Sequence, residues 1–224
     1  MADLDTLAQD NAGAIRKYTR AVVFVAPENA ESIDALTEVV ESGTQPTLKA
    51  LPDLYKPVGL IKKADGISFS AERDMSDVES LGYAAPTRRD VLSEASSMSF
   101  TPHETNRLVT ALYHGLNLDN VVPDPETGEV SYAKPTTPPT VHYRVLVIGR
   151  DGIGAGVHYK AWFVPRGLIS ETSENAMSAE DEASYGMTLS ATPDPVLGYS
   201  VKEFQAGAGF QANAAALGWV APTP

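Results

Sequence analysis

Between residues 66 and 115 the hydrophobic pattern of this chain changes period, and that change limits what it can fold into. In Gly66-Ile67-Ser68-Phe69-Ser70-Ala71-Glu72-Arg73 the apolar Ile67, Phe69 and Ala71 alternate with Ser68, Ser70 and Glu72. Such a period of two belongs to a half-buried strand. Ala64-Asp65-Gly66 just before it supplies the Asp-Gly pair that favours a tight hairpin turn. Ala95–Phe100 repeats the alternation, ending with Met98 and Phe100 on one face. Thr101-Pro102-His103-Glu104 then has the spacing of a capping box, with Thr101 at the N-cap, proline at the first helical position and Glu104 reaching back to the cap. Leu108, Val109, Leu112 and Tyr113 follow at helical spacing, and Gly115 is a stop signal. The block predicts strand, turn, strand, acidic loop, a further strand and one helix over about 102–114, packed on a sheet.

The rest of the chain is mostly strand-like. Arg20–Ala26 (RAVVFVA) is apolar almost throughout, as suits a strand buried on both faces, and Pro27 ends it. Ala30–Glu41 carries Ile33, Leu36, Val39 and Val40 near helical spacing, with Gly43 as a stop, and predicts a short surface helix. Gln45–Tyr55 reads as irregular. Val122–Gly128 is a turn-rich connector, Glu129–Lys134 a short strand, and Pro135–Pro139 an extended crossing. Val141–Ile148 and Val157–Val164 form the strongest hairpin, turning over Gly149–Gly156. If Ile148 pairs with Val157, His142 falls opposite Phe163. Ser170–Glu182 is a solvated acidic connection. Ala183–Ala191 is an alternating strand, and Asp194–Val201 turns into a last one. Residues 1–17 and 203–224 lack a core pattern and read as arms around a β core at 18–202. The expected architecture is therefore a single domain spanning 1–224: a β-sandwich or barrel with one flanking helix, an extended loop and terminal arms.

Charge and composition exclude several functions. With 29 acids against 17 bases the net charge is −12, which disfavours nucleic-acid binding, since that depends on Lys and Arg at phosphates. There is no cysteine, so disulfides and thiolate metal sites are absent. No apolar run approaches the roughly 20 residues that span a bilayer. The N-terminus MADLDTLAQD lacks a signal-peptide pattern, so the expectation is assembly in a cytoplasm. Catalytic patterns fail on inspection. Gly149–Gly156 leads into a strand rather than a helix, so it is a hairpin tip and not a dinucleotide loop. His103-Glu104-Thr105-Asn106-Arg107 begins like a zinc-binding helix but has Arg107 where the second histidine is required. His114 suits the helix C-terminus, and His142 and His158 have no third ligand in view. No nucleophile elbow or phosphate-binding loop is present. The reading is of a non-enzyme with no catalytic residue, cofactor or metal.

Gly59-Leu60-Ile61, Asp65-Gly66-Ile67, Ser76-Asp77-Val78-Glu79, Pro86-Thr87-Arg88-Arg89-Asp90, Glu104-Thr105-Asn106 and Leu112-Tyr113-His114-Gly115 occur here in an order and spacing that one family shares. From about residue 20 to residue 200 the chain resembles the major tail protein (tail tube subunit) of long-tailed, non-contractile bacteriophages, especially those of actinobacteria. The resemblance implies a β-sandwich or barrel with a flanking helix. It also implies hexameric rings stacked into a tube in the virion tail. That tube would enclose the tape-measure protein, meet terminator and distal tail proteins, and pass DNA without specific binding. Arg73–Thr87 would then be the long loop that reaches an adjacent ring. Asp77, Glu79, Leu81, Tyr83, Arg88 and Arg89 are the contact residues expected on or beside it, with Arg88, Arg89 and Asp90 available for inter-ring ion pairs. Phe210 and Trp219 are expected to dock the C-terminal arm on another subunit. Gly207–Phe210 matches the family's glycine-rich aromatic ending only loosely. Another ring-forming tail protein, such as a terminator, and a β-sandwich binding module are the alternatives. The latter calls for exposed aromatics clustered on one sheet face, whereas most of the nine tyrosines and two tryptophans sit in core-patterned strands.

Overall fold

The computed structural model describes residues 3, 4, 8, 10–39, 45–137 and 139–219. Among these the elements run β1 (Arg20–Pro27), β2 (Thr37–Glu38), β3 (Thr47–Leu48), β4 (Lys56–Pro57), β5 (Ile67–Val78), β6 (Arg88–Phe100), α1 (Arg107–His114), β7 (His142–Asp151), β8 (His158–Thr172), β9 (Met187–Ala191), β10 (Lys202–Ala206) and α2 (Ala208–Asn213). The uninterrupted apolar runs of β1 and β7 follow from their place inside the main antiparallel sheet, whose order is β4-β1-β7-β8-β9-β6-β5. Alternate residues of these strands enter two different cores. Val23, Val25, Val145, Val147 and Val164 face one side, and Ala26, Leu146, Ala161 and Phe163 face the other.

Strand β8 makes this single sheet into a sandwich. One edge of β8 pairs with β7, whereas the other pairs with β10 over Tyr159–Phe163 and with β9 over Gly167–Thr172. Pro165 lies between the two stretches, and the register shifts near Tyr143/Val145 and Ile169/Glu171. A proline has no N–H to give a ladder, and bulges sharpen a bend. The sheet therefore folds over at β8, as in sandwiches whose strands pass from one layer to the other. The far edge comes back across the fold: Phe69 of β5 stacks on Trp162 of β8, ring centroids 5.3 Å apart. Met98, Phe100, Met187 and Leu189 close the first core together with Val109 and Leu112 of α1. Gly167 allows this closure, because a Cβ there would lie 2.6 Å from a methyl of Leu189.

Helix α1 starts later than the capping box predicts. Asn106 is the N-cap, its side-chain oxygen accepting the Val109 N–H at 2.9 Å, and Gly115 (φ 63°) closes the other end. The stretch around Thr101 continues β6 in extended form. Pro102 bridges Ile61, Lys62 N–H donates to Thr101 O, and His103 N–H donates to Leu60 O. Glu104 serves the neighbouring loop, accepting Leu60 N–H at 2.8 Å. Strand pairing has thus outcompeted a local cap.

Four further expectations are corrected, one being the last strand, which lies at Lys202–Ala206 on β8 and not within Asp194–Val201. The predicted helix at Ala30–Glu41 is, over its described residues, an extended strap ending in β2, which pairs with β3. Val40, Glu41 and Gly43 lie outside the described residues. Ala30, Ile33 and Leu36 are buried against the second core beside Tyr55. Covering a broad sheet face, rather than forming one cylinder, sets their spacing. Glu129–Lys134 is not a strand, because the preceding chain turns back on itself through Asp124, whose carboxylate accepts the Glu126 and Thr127 N–H groups. In the β7–β8 hairpin Ile148 faces Ala161 and His142 faces Leu168, not Phe163. The strands run past Gly149 to Asp151 and His158, so the turn is shorter than the glycines suggest. Gly149 is inside the ladder, where the ring of Tyr18 lies 3.2 Å from the position of an added Cβ.

Candidate assembly surface

Strand β6 pairs with β9 only from Ser96 to Phe100. Beyond that point β5 and β6 continue alone as a two-stranded ribbon, from Glu72↔Ala95 to Val78↔Arg88. The expected loop at Arg73–Thr87 therefore begins as strand, from Arg73 to Val78, and the connection at the tip is confined to 79–87. Most of the ribbon is exposed, with only Ser76 and Asp90 half-buried between Glu72 and Ala95. A lone hairpin in water is marginal, and polar contacts hold this one in shape. Arg73 donates to Glu94 at 2.6 Å, Arg89 grips Asp77 through two bonds of 2.6 and 2.8 Å, and Arg88 turns back to Asp90 at 2.8 Å. The Arg89 hydrogen bond holds the Asp77 carboxyl below the usual carboxylate range. Near the tip the Ser80 and Thr87 hydroxyls lie 2.7 Å apart, and Thr87 N–H donates to Val78 O.

A bulge leaves Leu92 as the extra residue, because Asp74 faces Ser93 while Met75 faces Val91. Bulges increase local twist and discourage indiscriminate edge pairing. The ribbon exposes Met75, Val78, Leu81, Tyr83, Val91 and Leu92, Leu81 completely. Apolar side chains gathered on a projecting element mark an interaction surface.

The expected contact residues fall into two groups. Asp77, Glu79, Leu81, Tyr83, Arg88 and Arg89 all lie on the outer ribbon and its tip. Both arginines, with Asp90, are committed to ion pairs within it. Phe210 and Trp219 lie elsewhere, packed on each other at 6.5 Å, with His158 edge-on to Phe210. Asn11 ties the N-terminal segment to this C-terminal one by a 3.5 Å bond to Ala216 O. Met75, Val78, Val91 and Leu92 escaped the sequence reading. Continuing the strand at Ala95 back through Val91-Leu92 to Arg88 would have found the second arm.

The histidines scatter. His103 faces Glu182 at 3.7 Å, His142 faces Glu28 at 3.9 Å, and His114 lies against Tyr113. Among the described residues no three metal-ligating side chains converge.

The fold is a bent antiparallel β-sheet with a projecting ribbon that exposes apolar side chains. The family model for phage tail tube protein matches residues 8–195, and the chain belongs to that family. Among solved structures it is similar to the extended sheath–tube complex of an extracellular contractile injection system, PVC, with a TM-score of 0.46, 10% identity, and 91% of this chain and 99% of that one covered. It is also similar to the tube-terminating cap of the anti-feeding prophage, with a TM-score of 0.42, 11% identity and coverages of 89% and 97%. The baseplate of the same prophage gives a TM-score of 0.40 and 10% identity, covering 84% and 93%. No curated protein matches the chain.

Proposed function

We propose that this chain forms sixfold rings that stack into the tube of a long, non-contractile phage tail, assembled in the host cytoplasm around the tape-measure protein and later traversed by DNA. Terminator and distal tail proteins close its two ends. The observation that carries this reading is the ribbon from Glu72 to Ala95, which no other strand among the described residues supports and which presents apolar side chains to solvent. An element of that kind offers an apolar surface suited to contact with another subunit. The chain acts as one domain, with its ribbon and its terminal segments as the parts that meet neighbours. Heterologous contacts, in which ribbon and receiving surface differ, close into rings or propagate as filaments, and a tube requires both.

The test is negative-stain electron microscopy of the purified protein beside light scattering over a concentration series. Rings or hollow tubes are expected. A featureless monomer at every concentration, both alone and with the other tail proteins co-expressed, would overturn the proposal.

A further inference from the structure

A groove of about 700 Å³ lies between the start of β1 and the segment 57–67 that leads into β5. It contradicts the charge of the whole molecule. In a chain of net charge −12, four of the 17 bases line it: Arg20, Lys62, Lys63 and Lys160. Its one acid, Glu104, is occupied by Leu60 N–H at 2.8 Å. Lys62 and Lys160 each have a carboxylate at 3.4 Å, Glu182 and Glu203 respectively, while Arg20 and Lys63 pair with none among the described residues. The groove is apolar as well as basic: Trp162 forms part of its wall and Leu60 is 70% exposed at its side. One border is open backbone. Strand β4 covers β1 only at Phe24 and Val25, so Arg20–Val22 have no strand on their outer edge among the described residues.

The ribbon has the complementary character. Between Glu72 and Glu94 each arginine is matched to a ribbon carboxylate: Arg73 to Glu94, Arg88 to Asp90 and Arg89 to Asp77. Glu72, Asp74 and Glu79 remain without a cation among the described residues, beside the exposed Met75, Val78 and Leu81. The ribbon's own side-chain bonds stay within it; the root of β5 at Ile67 borders the groove of the same chain, but no residue from Glu72 to Ala95 lines it. We infer that the groove between β1 and residues 57–67 receives the acidic, apolar ribbon of a second copy of this chain. Asp74 and Glu79 are set against Arg20 and Lys63, and the ribbon's apolar side chains against the exposed Leu60. This assignment rests on the tube reading and names the surface that the ribbon finds. Opposite potentials would set its register and speed the encounter.

The experiment uses charge reversal on each side and then on both. Asp74→Lys with Glu79→Lys reverses the ribbon, and Arg20→Glu with Lys63→Glu reverses the groove. All four positions are exposed, so circular dichroism and melting temperature are expected to stay as in the parent. Each reversal alone is expected to raise the concentration needed for assembly by about tenfold or more. The chain carrying both reversals is expected to recover. Because the chain has no cysteine, a mixture of Lys63→Cys and Glu79→Cys copies is also expected to give a disulfide-linked dimer. Glu79→Cys mixed with Val196→Cys, placed on an exposed turn, should not. Parent tubes together with unaffected single-side variants, or no recovery in the combined one, would overturn the docking assignment and leave the tube reading standing. A parent that never assembles would remove the tube reading, and this inference with it.

Discussion

Gly59 shows how a single backbone position ties two segments together. Its φ of 97° is a conformation that side-chain-bearing residues rarely adopt, and a Cβ there would lie 2.3 Å from the Glu104 carboxyl carbon. That carboxylate holds Leu60 N–H, so Gly59→Ala must both strain the backbone and displace the acid. The expected loss is about 1–3 kcal/mol, measured as a fall in urea midpoint with unchanged slope; an unchanged midpoint would count against the contact. Two titrating groups under the second core make stability depend on pH in opposite directions. Tyr55, 5% exposed, donates to Glu31 O at 2.7 Å, and burial pushes its phenol up to about 12. In the unfolded chain it ionises near ~10. Its contribution is therefore complete below about 10 and lost as pH rises from there through the folded value. Asp194 accepts Leu197 and Val196 N–H groups and faces Arg144 at 3.6 Å. Those bonds, the Leu197 one foremost, hold its carboxyl below the ordinary range against the opposing effect of burial. Its contribution is present above an unfolded value of ~3.9 and is lost as pH falls through the lowered folded one. Tyr55→Phe is expected to flatten the alkaline limb of melting temperature against pH, and Asp194→Asn the acid limb. Limbs unchanged in both variants would show that other groups govern them.

At the scale of elements, the ribbon separates what folds the subunit from what assembles it. The first core takes only Met98 and Phe100 of β6 as buried residues, with Ile67 and Phe69 of β5 packed against them. Replacing residues 75–92 by a two-residue Asn-Gly turn between the facing residues Asp74 and Ser93 keeps the register and removes none of these. The shortened chain is expected to keep its near-ultraviolet circular dichroism and to melt within a few degrees of the parent, yet to form no tubes. Unfolding on truncation, or normal tubes without the ribbon, would refute that separation. The sequence shows this division only in part. Alternation at Ile67–Ala71 and Met98–Phe100 is legible because those residues answer to one apolar face. Outside the core, Met75, Val91 and Leu92 answer to no face of their own subunit, so periodicity weakens and the strands read as loop. The same blindness explains the capping box at Thr101 and the helical spacing at Ala30–Leu36. Both are local signals, and both lost to contacts distant in sequence: Ile61 bridging Pro102, and the broad sheet face that Ile33, Leu36 and Tyr55 cover together. The basic groove was less visible still. Lys62-Lys63 is only a doublet in sequence, and Arg20 and Lys160 join it through the sheet.

For the whole molecule the acidic balance requires a use consistent with a conduit. A net charge of −12 would be repeated in every subunit of a tube, and such a balance opposes phosphate. Seven of the 17 bases have other partners in this reading: three ribbon arginines pair with carboxylates, and four line the groove assigned to a neighbouring ribbon. If that groove is filled on assembly, the tube is more uniformly acidic than the free subunit. Purified tubes are therefore expected to leave double-stranded DNA unretained even at about 50 mM salt, where binding through phosphates is strongest. The parent subunit before assembly is the comparison. The reading is checked by co-sedimentation of tubes with labelled DNA and by mapping potential on a reconstruction of the tube. DNA pelleting with the tubes at low salt and released by added salt, or a positive bore, would mean that charge serves retention rather than passage. Labelled DNA left in the supernatant, with a negative bore, would fit a channel that DNA crosses without sticking, the physical requirement for rapid delivery through a long tail.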